Sequence, residues 1–231
     1  MTVLHLADEG EAADLAAFLS RLLHYDRGAA VRLQASGTAL AVFGRPPSFE
    51  VLAVRAVRLA KPYENGLESG LDVTVSAGEL LEGVDEPAAT AAVPGAVTGP
   101  PWAGVLPPRG GWRAESGLPA PDALRALVGA AVGEFRRRTE QLAPERRTRA
   151  ELDRIGREIW SRTVGDTGLP VRVVHAAQSL GFLRPGTAPA PPQTPAGLFS
   201  SGAWLRLRTP YGSVAVRRTG LGAGLGGLSV R

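Results

Sequence analysis

The chain has 231 residues, of which 44% are hydrophobic, and it contains no cysteine. This length accommodates one or two domains with a buried core. The lack of cysteine excludes disulfide bonds, thiolate nucleophiles, iron–sulfur clusters and cysteine-based zinc sites, and it fits a reducing cytoplasm. Acidic residues interrupt the start of the chain, unlike a signal peptide, and no stretch is long and apolar enough for a membrane span. We therefore expect a soluble cytoplasmic protein that does not bind a membrane.

Charge is unevenly distributed along the chain. Residues 1–110 contain 8 basic and 13 acidic side chains, whereas residues 111–231 contain 18 basic and 9 acidic side chains. The high arginine content is by itself typical of a GC-rich genome, because Lys61 is the only lysine among 26 basic residues. The basic second half is a recognised sign of a polyanionic partner such as DNA.

The first part of the chain predicts an acidic α+β domain over residues 1–86. A short strand, Thr2–Leu6, precedes a helix that Asp8 caps, and leucine and phenylalanine recur along this helix at three- and four-residue spacing. The pattern then predicts an antiparallel sheet with one or two helices. Its elements are expected in the order strand Ala30–Gln34, strand Ala39–Phe43, strand Phe49–Ala60, loop Lys61–Gly70, strand Asp72–Val75 and helix Ala77–Gly83.

Residues 87–111 are rich in proline, glycine and alanine, and we predict a linker there. Trp102 lies within this segment and Trp112 directly follows it. Because tryptophans usually dock onto another surface, these two side chains do not fit a simple linker.

The remainder predicts a basic helical domain with a hairpin over residues 112–218, followed by a glycine-rich tail over residues 219–231. Residues 185–202, between the last helix and the hairpin, are predicted as a loop. Three helices followed by a basic hairpin is the element order of a winged helix. The helices and the two hairpin strands are expected at Pro121–Leu142, Arg147–Thr163, Pro170–Leu180, Trp204–Arg208 and Ser213–Arg217.

In a winged helix, the third helix enters the major groove and the hairpin contacts phosphate or the minor groove. The third predicted helix carries Arg172 and His175 on its outer face and Gln178 at the edge, and these residue types reach base edges. Alternation along the hairpin places three arginines outward, namely Arg206, Arg208 and Arg217.

Two further arginine clusters flank the junction of the first two helices and would bind phosphate: Arg136, Arg137 and Arg138, and Arg146 and Arg147. A second interpretation applies to every arginine named here. Helices and hairpins encoded by an arginine-rich genome expose arginine in any case, and arginine near a helix C-terminus also interacts with the helix dipole. The sequence leaves both interpretations open.

No catalytic residue, metal site or cofactor is predicted. The three histidines, His5, His24 and His175, lie far apart without metal-binding spacing. The sequence also contains no GxSxG nucleophile motif and no phosphate-binding Gly-Lys-Ser/Thr motif.

Two stretches resemble a family of uncharacterised conserved proteins of high-GC Gram-positive (actinobacterial) bacteria. They are Phe49–Leu81, with FEVLAVRAVRLA and LDVTVSAGELL, and Leu169–Arg218, with LPVRVVHAAQSLGFL and WLRLRTPYGSVAVRR. The resemblance implies a bacterial cytoplasmic source, and it brings no known activity, ligand or catalytic residue.

The favoured hypothesis is a non-enzymatic DNA-binding or regulatory protein whose first domain serves self-association or contact with a protein partner. One alternative is a protein-interaction module without nucleic-acid binding, in which the two halves pack on each other and Trp102 and Trp112 anchor a partner or the interface. The other is an enzyme that holds a small anionic substrate with arginines.

Overall fold

The computed structural model describes residues 2–63, 70–185 and 195–218. Its α-helices, α1 to α5, are Glu9–Tyr25, Ala77–Glu82, Pro121–Glu140, Arg149–Trp160 and Val171–Ser179. Its strands, β1 to β11, are Thr2–His5, Ala30–Ser36, Ala39–Gly44, Leu52–Arg58, Gly70–Ser76, Val84–Asp85, Thr90–Val93, Arg113–Glu115, Gly197–Ser201, Trp204–Thr209 and Gly212–Arg217.

Eight strands form one antiparallel sheet in the order β5-β2-β3-β4-β11-β10-β9-β8. In its centre β4 pairs with β11, so that Val54 lies opposite Ser213 and Leu52 lies opposite Ala215. The first and last parts of the chain therefore contribute to the same sheet. A separate small sheet has the order β1-β7-β6.

One face of the large sheet carries the helices and the main core. Leu33 of β2 and Leu207 of β10 are fully buried on this face, as are Phe18 of α1 and Val174 of α5. Because side chains alternate along a strand, the residues next to these point to the opposite face. The core thus includes residues from both ends of the chain, and burial of its apolar side chains is the main source of stability.

The opposite face of the sheet is crossed by residues 94–112, which we call the cover segment. It leaves β5, where Ala96 forms a bridge with Val75, and it reaches β9, where the hydroxyl of Ser201 donates to the carbonyl of Gly110 (3.3 Å). Since β5 and β8 are the two edge strands, the cover segment spans almost the whole width of the sheet.

Trp102 of the cover segment packs against a second, small hydrophobic cluster on this face. The cluster consists of Phe43, Leu52 and Val54, with Leu106 beside Trp102. The guanidinium of Arg32 on β2 also donates to the carbonyl of Ala103. A contact within the chain thus explains why a tryptophan occurs in this proline-rich segment, because the Trp102 ring shields apolar residues of β3 and β4 from water.

Arg55 of β4 is buried on the helix side of the sheet, with 6% of its surface exposed. Its guanidinium donates to Glu11 of α1 (2.9 Å) and lies 3.2 Å from Asp14 of the same helix. It also donates to the carbonyl of Tyr211 (2.8 Å), in the turn between β10 and β11. Arg55 therefore links α1, β4 and this turn. These partners compensate for part of its removal from water, while its Nε is buried without a hydrogen-bond partner among the described residues.

The prediction of a mixed α+β fold is confirmed, and so are both hairpins, β2–β3 and β10–β11. Asp8 caps α1 as expected, because its carboxylate accepts from the backbone N–H of Glu11 (2.9 Å). The winged-helix arrangement is not confirmed. Both edges of the β10–β11 hairpin are occupied by other strands, β9 and β4, so the hairpin does not project as a wing.

Two segments contain more regular structure than the sequence predicts. The predicted loop at residues 185–202 contains β9, and the predicted linker at residues 87–111 contains β7, which pairs with β1. Both strands are short. The partner β1 of β7 is remote in the chain, whereas β9 forms a hairpin with β10 directly after it, which the proline-, alanine-, glycine- and serine-rich composition of residues 185–202 concealed. Parts of two predicted loops (64–69 and 186–194) and the predicted tail (219–231) lie outside the described residues. The division into two domains stays a prediction.

We expect Arg55→Met to lower the free energy of unfolding by about 3 kcal/mol, because it leaves two partly buried carboxylates incompletely paired. The matched control is Arg58→Met, since Arg58 also lies in β4 and also bonds Glu11 but is 70% exposed. Its expected loss is below about 1 kcal/mol. Urea unfolding of both variants measures the difference, and equal losses would contradict the role given to Arg55.

Candidate nucleic-acid interface

Three predicted site residues lie together on the cover-segment side of the sheet: Arg206, Arg208 and Arg217. Their neighbours along the strands, such as Leu205 and Val216, are buried in the main core, so alternation directs the arginines to the other side. Arg206 and Arg208 are partly exposed and Arg217 is exposed. We call these three arginines, with the aromatic residues beside them, the basic face.

An aromatic ring accompanies each arginine of the basic face. The guanidinium carbon of Arg206 lies 5.5 Å from the ring centre of Trp112, at the end of the cover segment. The corresponding distances are 5.3 Å from Arg208 to Phe199 of β9 and 5.4 Å from Arg217 to Trp204 of β10. The basic face therefore combines three positive charges with three rings, in loose cation–π geometry.

The positive charge of the basic face has no carboxylate partner in the part of the chain described. None of its three arginines forms an ion pair there, and the acidic side chain on the neighbouring strand β8, Glu115, pairs with Arg218 (3.2 Å). Burial lowers the pKa of Arg206, and the adjacent charge of Arg208 lowers it further. Two neighbouring guanidinium groups without a counterion favour the approach of an anion.

The three predicted residues of α5 lie on the other side of the sheet. Helix α5 packs on the core face through side chains such as Val174, so the sheet separates it from the basic face. Gln178 is exposed, whereas Arg172 and His175 are half-buried. The structure therefore does not bring Arg172, His175 and Gln178 together with the hairpin arginines on one surface.

His175 belongs to an aromatic cluster that joins several elements. Its ring stacks on Trp160 of α4, with ring centres 4.6 Å apart, and meets Phe49 edge-on at 4.9 Å. Burial lowers the pKa of His175, because the charged imidazolium is disfavoured away from water. A neutral, packed histidine between two aromatic rings supports the packing of α5 against its neighbours.

The arginines of α3 and of the α3–α4 connection fall into two groups. Arg138 forms two hydrogen bonds with Glu158 of α4 (2.7 and 2.8 Å), and this contact lowers the pKa of Glu158 to about 2. Arg146 lies 3.4 Å from Glu151, and Arg147 donates to two backbone carbonyls near the end of α3. These three arginines have partners that tie α3 to α4 or close the end of α3.

Arg136 and Arg137 form the second group, because both are exposed and neither forms an ion pair with a described residue. They lie on α3, which packs against α4 and α5. They carry the same charge as two arginines of the basic face but have no aromatic ring paired with them among the described residues.

An open cavity of about 640 Å³ lies between the start of the cover segment and the loop before β2. Its lining includes Asp26, Arg45, Ser76 and Trp102. Within the described ranges, no group of three histidine, cysteine, aspartate or glutamate side chains is placed to hold a metal ion. No helix in these ranges is both long and apolar enough to cross a membrane.

Two family models match the chain. Residues 1–104 match a domain of unknown function (DUF8010), and residues 107–221 match a second domain of unknown function (DUF8185). No curated protein matches it. The matches agree with the expected resemblance to uncharacterised proteins, and the boundary between them falls in the cover segment. A cytoplasmic location stays a prediction.

Sequence reasoning named Trp112 as a candidate anchor of a partner or of the interface between the two halves, but it did not predict that Trp112, Phe199 and Trp204 accompany the hairpin arginines. The position of Trp204 could have been predicted from the sequence. Trp204, Arg206 and Arg208 occupy every second position of the same strand, so their side chains must lie on the same side of the sheet. Phe199 lies in a segment predicted as loop, and Trp112 reaches Arg206 from a distant part of the sequence. No local pattern reveals the Trp112 contact, whereas Phe199 lies in a strand that pairs with the adjacent β10.

We expect His175 to lower stability at mildly acidic pH. Its folded-state pKa lies below the ordinary histidine value of 6.5, so the unfolded chain binds a proton more readily than the folded chain as pH falls through this range. The melting temperature should therefore decrease as pH falls from about 7.5 to about 5.5, and His175→Phe should show a smaller decrease. An NMR titration of the His175 ring with a midpoint at or above 6.5 would contradict this.

Proposed function

We propose that the protein is a non-enzymatic DNA-binding protein and that the basic face contacts the phosphate backbone. The observation that carries this proposal is the placement of Arg206, Arg208 and Arg217 on one sheet face without an ion-pair partner among the described residues. Guanidinium groups bind phosphate oxygens through charge-assisted hydrogen bonds, and each contact releases condensed counterions from the nucleic acid.

The arginines of the helical region are less suited to binding phosphate than those of the basic face. Arg138 and Arg146 already interact with glutamates, and Arg147 is bonded to backbone carbonyls. Binding phosphate would require these contacts to be lost, which offsets part of the gain. Arg136 and Arg137 are available, and they provide a natural control for charge alone.

The proposal also differs from winged-helix binding. Because the sheet lies between α5 and the basic face, one duplex does not reach both surfaces in the way a winged helix requires. We therefore propose contact with the backbone rather than base readout by Arg172, His175 and Gln178. A regulatory role and self-association through the first domain stay predictions.

We expect micromolar binding of the full chain to a fluorescein-labelled random duplex, weakening log-linearly as salt rises. The variant Arg208→Ala/Arg217→Ala should bind more weakly and reduce the magnitude of the salt slope by up to about two units, because two phosphate contacts are lost. Fluorescence anisotropy at several salt concentrations measures both quantities.

The matched control is Arg136→Ala/Arg137→Ala, which removes the same charge from an exposed helix surface. It should change affinity and slope much less than the basic-face variant. Equal effects of the two double variants would show that binding follows net charge alone, and they would contradict the proposed site. Absence of binding at low salt would contradict the function.

A further inference from the structure

We propose that the basic face recognises single-stranded nucleic acid, whose unpaired bases stack on its aromatic side chains; this inference rests on the proposed function. The relevant geometry is the interleaving of rings and guanidinium groups on one face of the sheet. Single strands differ from a duplex in exposing base faces, and aromatic side chains bind such faces without sequence preference.

The register of the strands sets the positions of the rings and charges. Phe199 of β9 lies opposite Arg206 of β10, while Trp204 of β10 lies opposite Ser201 on one side and Arg217 on the other. Neighbouring strands are about 4.8 Å apart, and residues two positions apart along a strand are separated by about 6.6 Å. Aromatic and arginine positions thus alternate across these strands at backbone spacings of about 5 to 7 Å.

The remaining positions of this part of the sheet carry small side chains. Gly197 and Ser201 flank Phe199 on β9, and Ser213 and Ala215 occupy the corresponding positions of β11. Ser213 and Ala215 are buried, and the Nε of Arg206 donates to the hydroxyl of Ser213 (2.9 Å). The partly exposed rings of Phe199 and Trp204 and the exposed Arg217 are therefore accessible parts of the basic face.

The guanidinium groups of the basic face do not stack closely on their rings. Elsewhere in the chain, Arg184 lies 3.9 Å from the ring centre of Tyr211, which is the distance of close stacking. In the basic face the three distances are 5.3 to 5.5 Å, so the arginines are offset or raised from the rings. Base stacking therefore does not require a close guanidinium–ring stack to be broken, and we assign the arginines to phosphates beside a stacked base.

A duplex offers this surface fewer contacts. Reading base edges in a groove requires a projecting helix or strand pair, whereas the β10–β11 hairpin is held between β4 and β9. Duplex bases are stacked on one another, so the rings would find no exposed base face. Only phosphate contacts to the arginines would remain.

The test measures the affinity of the full chain for three labelled ligands, an oligothymidine, an oligouridine and a duplex, each of about 12 nucleotides or base pairs. We expect both single strands to bind about tenfold more tightly than the duplex. The variant Trp204→Ala should weaken single-strand binding by about tenfold and duplex binding much less, whereas Trp204→Phe, which keeps a ring, should recover most of the affinity. Thermal unfolding of each variant checks that the fold is retained.

The outcomes separate this inference from the proposed function. Equal or tighter binding of the duplex, still weakened by Arg208→Ala/Arg217→Ala, would overturn the single-strand inference and leave DNA binding in place. Single-strand binding that is unaffected by Trp204→Ala in a folded protein would also overturn it. No binding to any of the three oligonucleotides would overturn both proposals.

Discussion

The antiparallel pairing of β4 with β11 is the contact on which the rest of the structure depends. It joins strands from the first and last parts of the chain into one sheet, and it gives both parts a common hydrophobic core. Arg55 reinforces it from the helix side, because its guanidinium bonds α1 and the β10–β11 turn at once. The two faces of the sheet then have different roles, since one packs the helices and the other holds the cover segment and the basic face.

This pairing also determines which charged surfaces are available. With β4 and β9 on its two sides, the β10–β11 hairpin presents its polar side chains as a flat surface instead of a projecting wing. Three arginines remain there without carboxylate partners among the described residues, while Arg138 of the helical region is bonded to Glu158. Arginine content alone therefore does not identify a binding surface, because partners within the fold decide which charges are free to bind an anion.

The features that depend on local periodicity could be predicted from the sequence. The capped helix α1, both hairpins and the outward direction of Arg206 and Arg208 follow from spacing and alternation. The shared sheet, the pairing of β7 with β1 and the position of Trp112 depend on partners that are remote in the chain, whereas β9 pairs with the adjacent β10 in a segment whose composition predicts a loop. Element order alone suggested a winged helix, and order carries no information about which strands lie beside the hairpin.

Native-state hydrogen exchange of the full chain tests most directly whether the two parts form one sheet. We expect the paired β4–β11 amides, around Ala53 and Val214, to exchange only through a common opening with the same free energy as the central amides of β2 and β3. Slow exchange in β2 and β3 together with rapid exchange throughout β10 and β11 would show that the strands do not form one cooperative sheet. That result would contradict the claim that both parts of the chain form the single sheet on which the basic face lies.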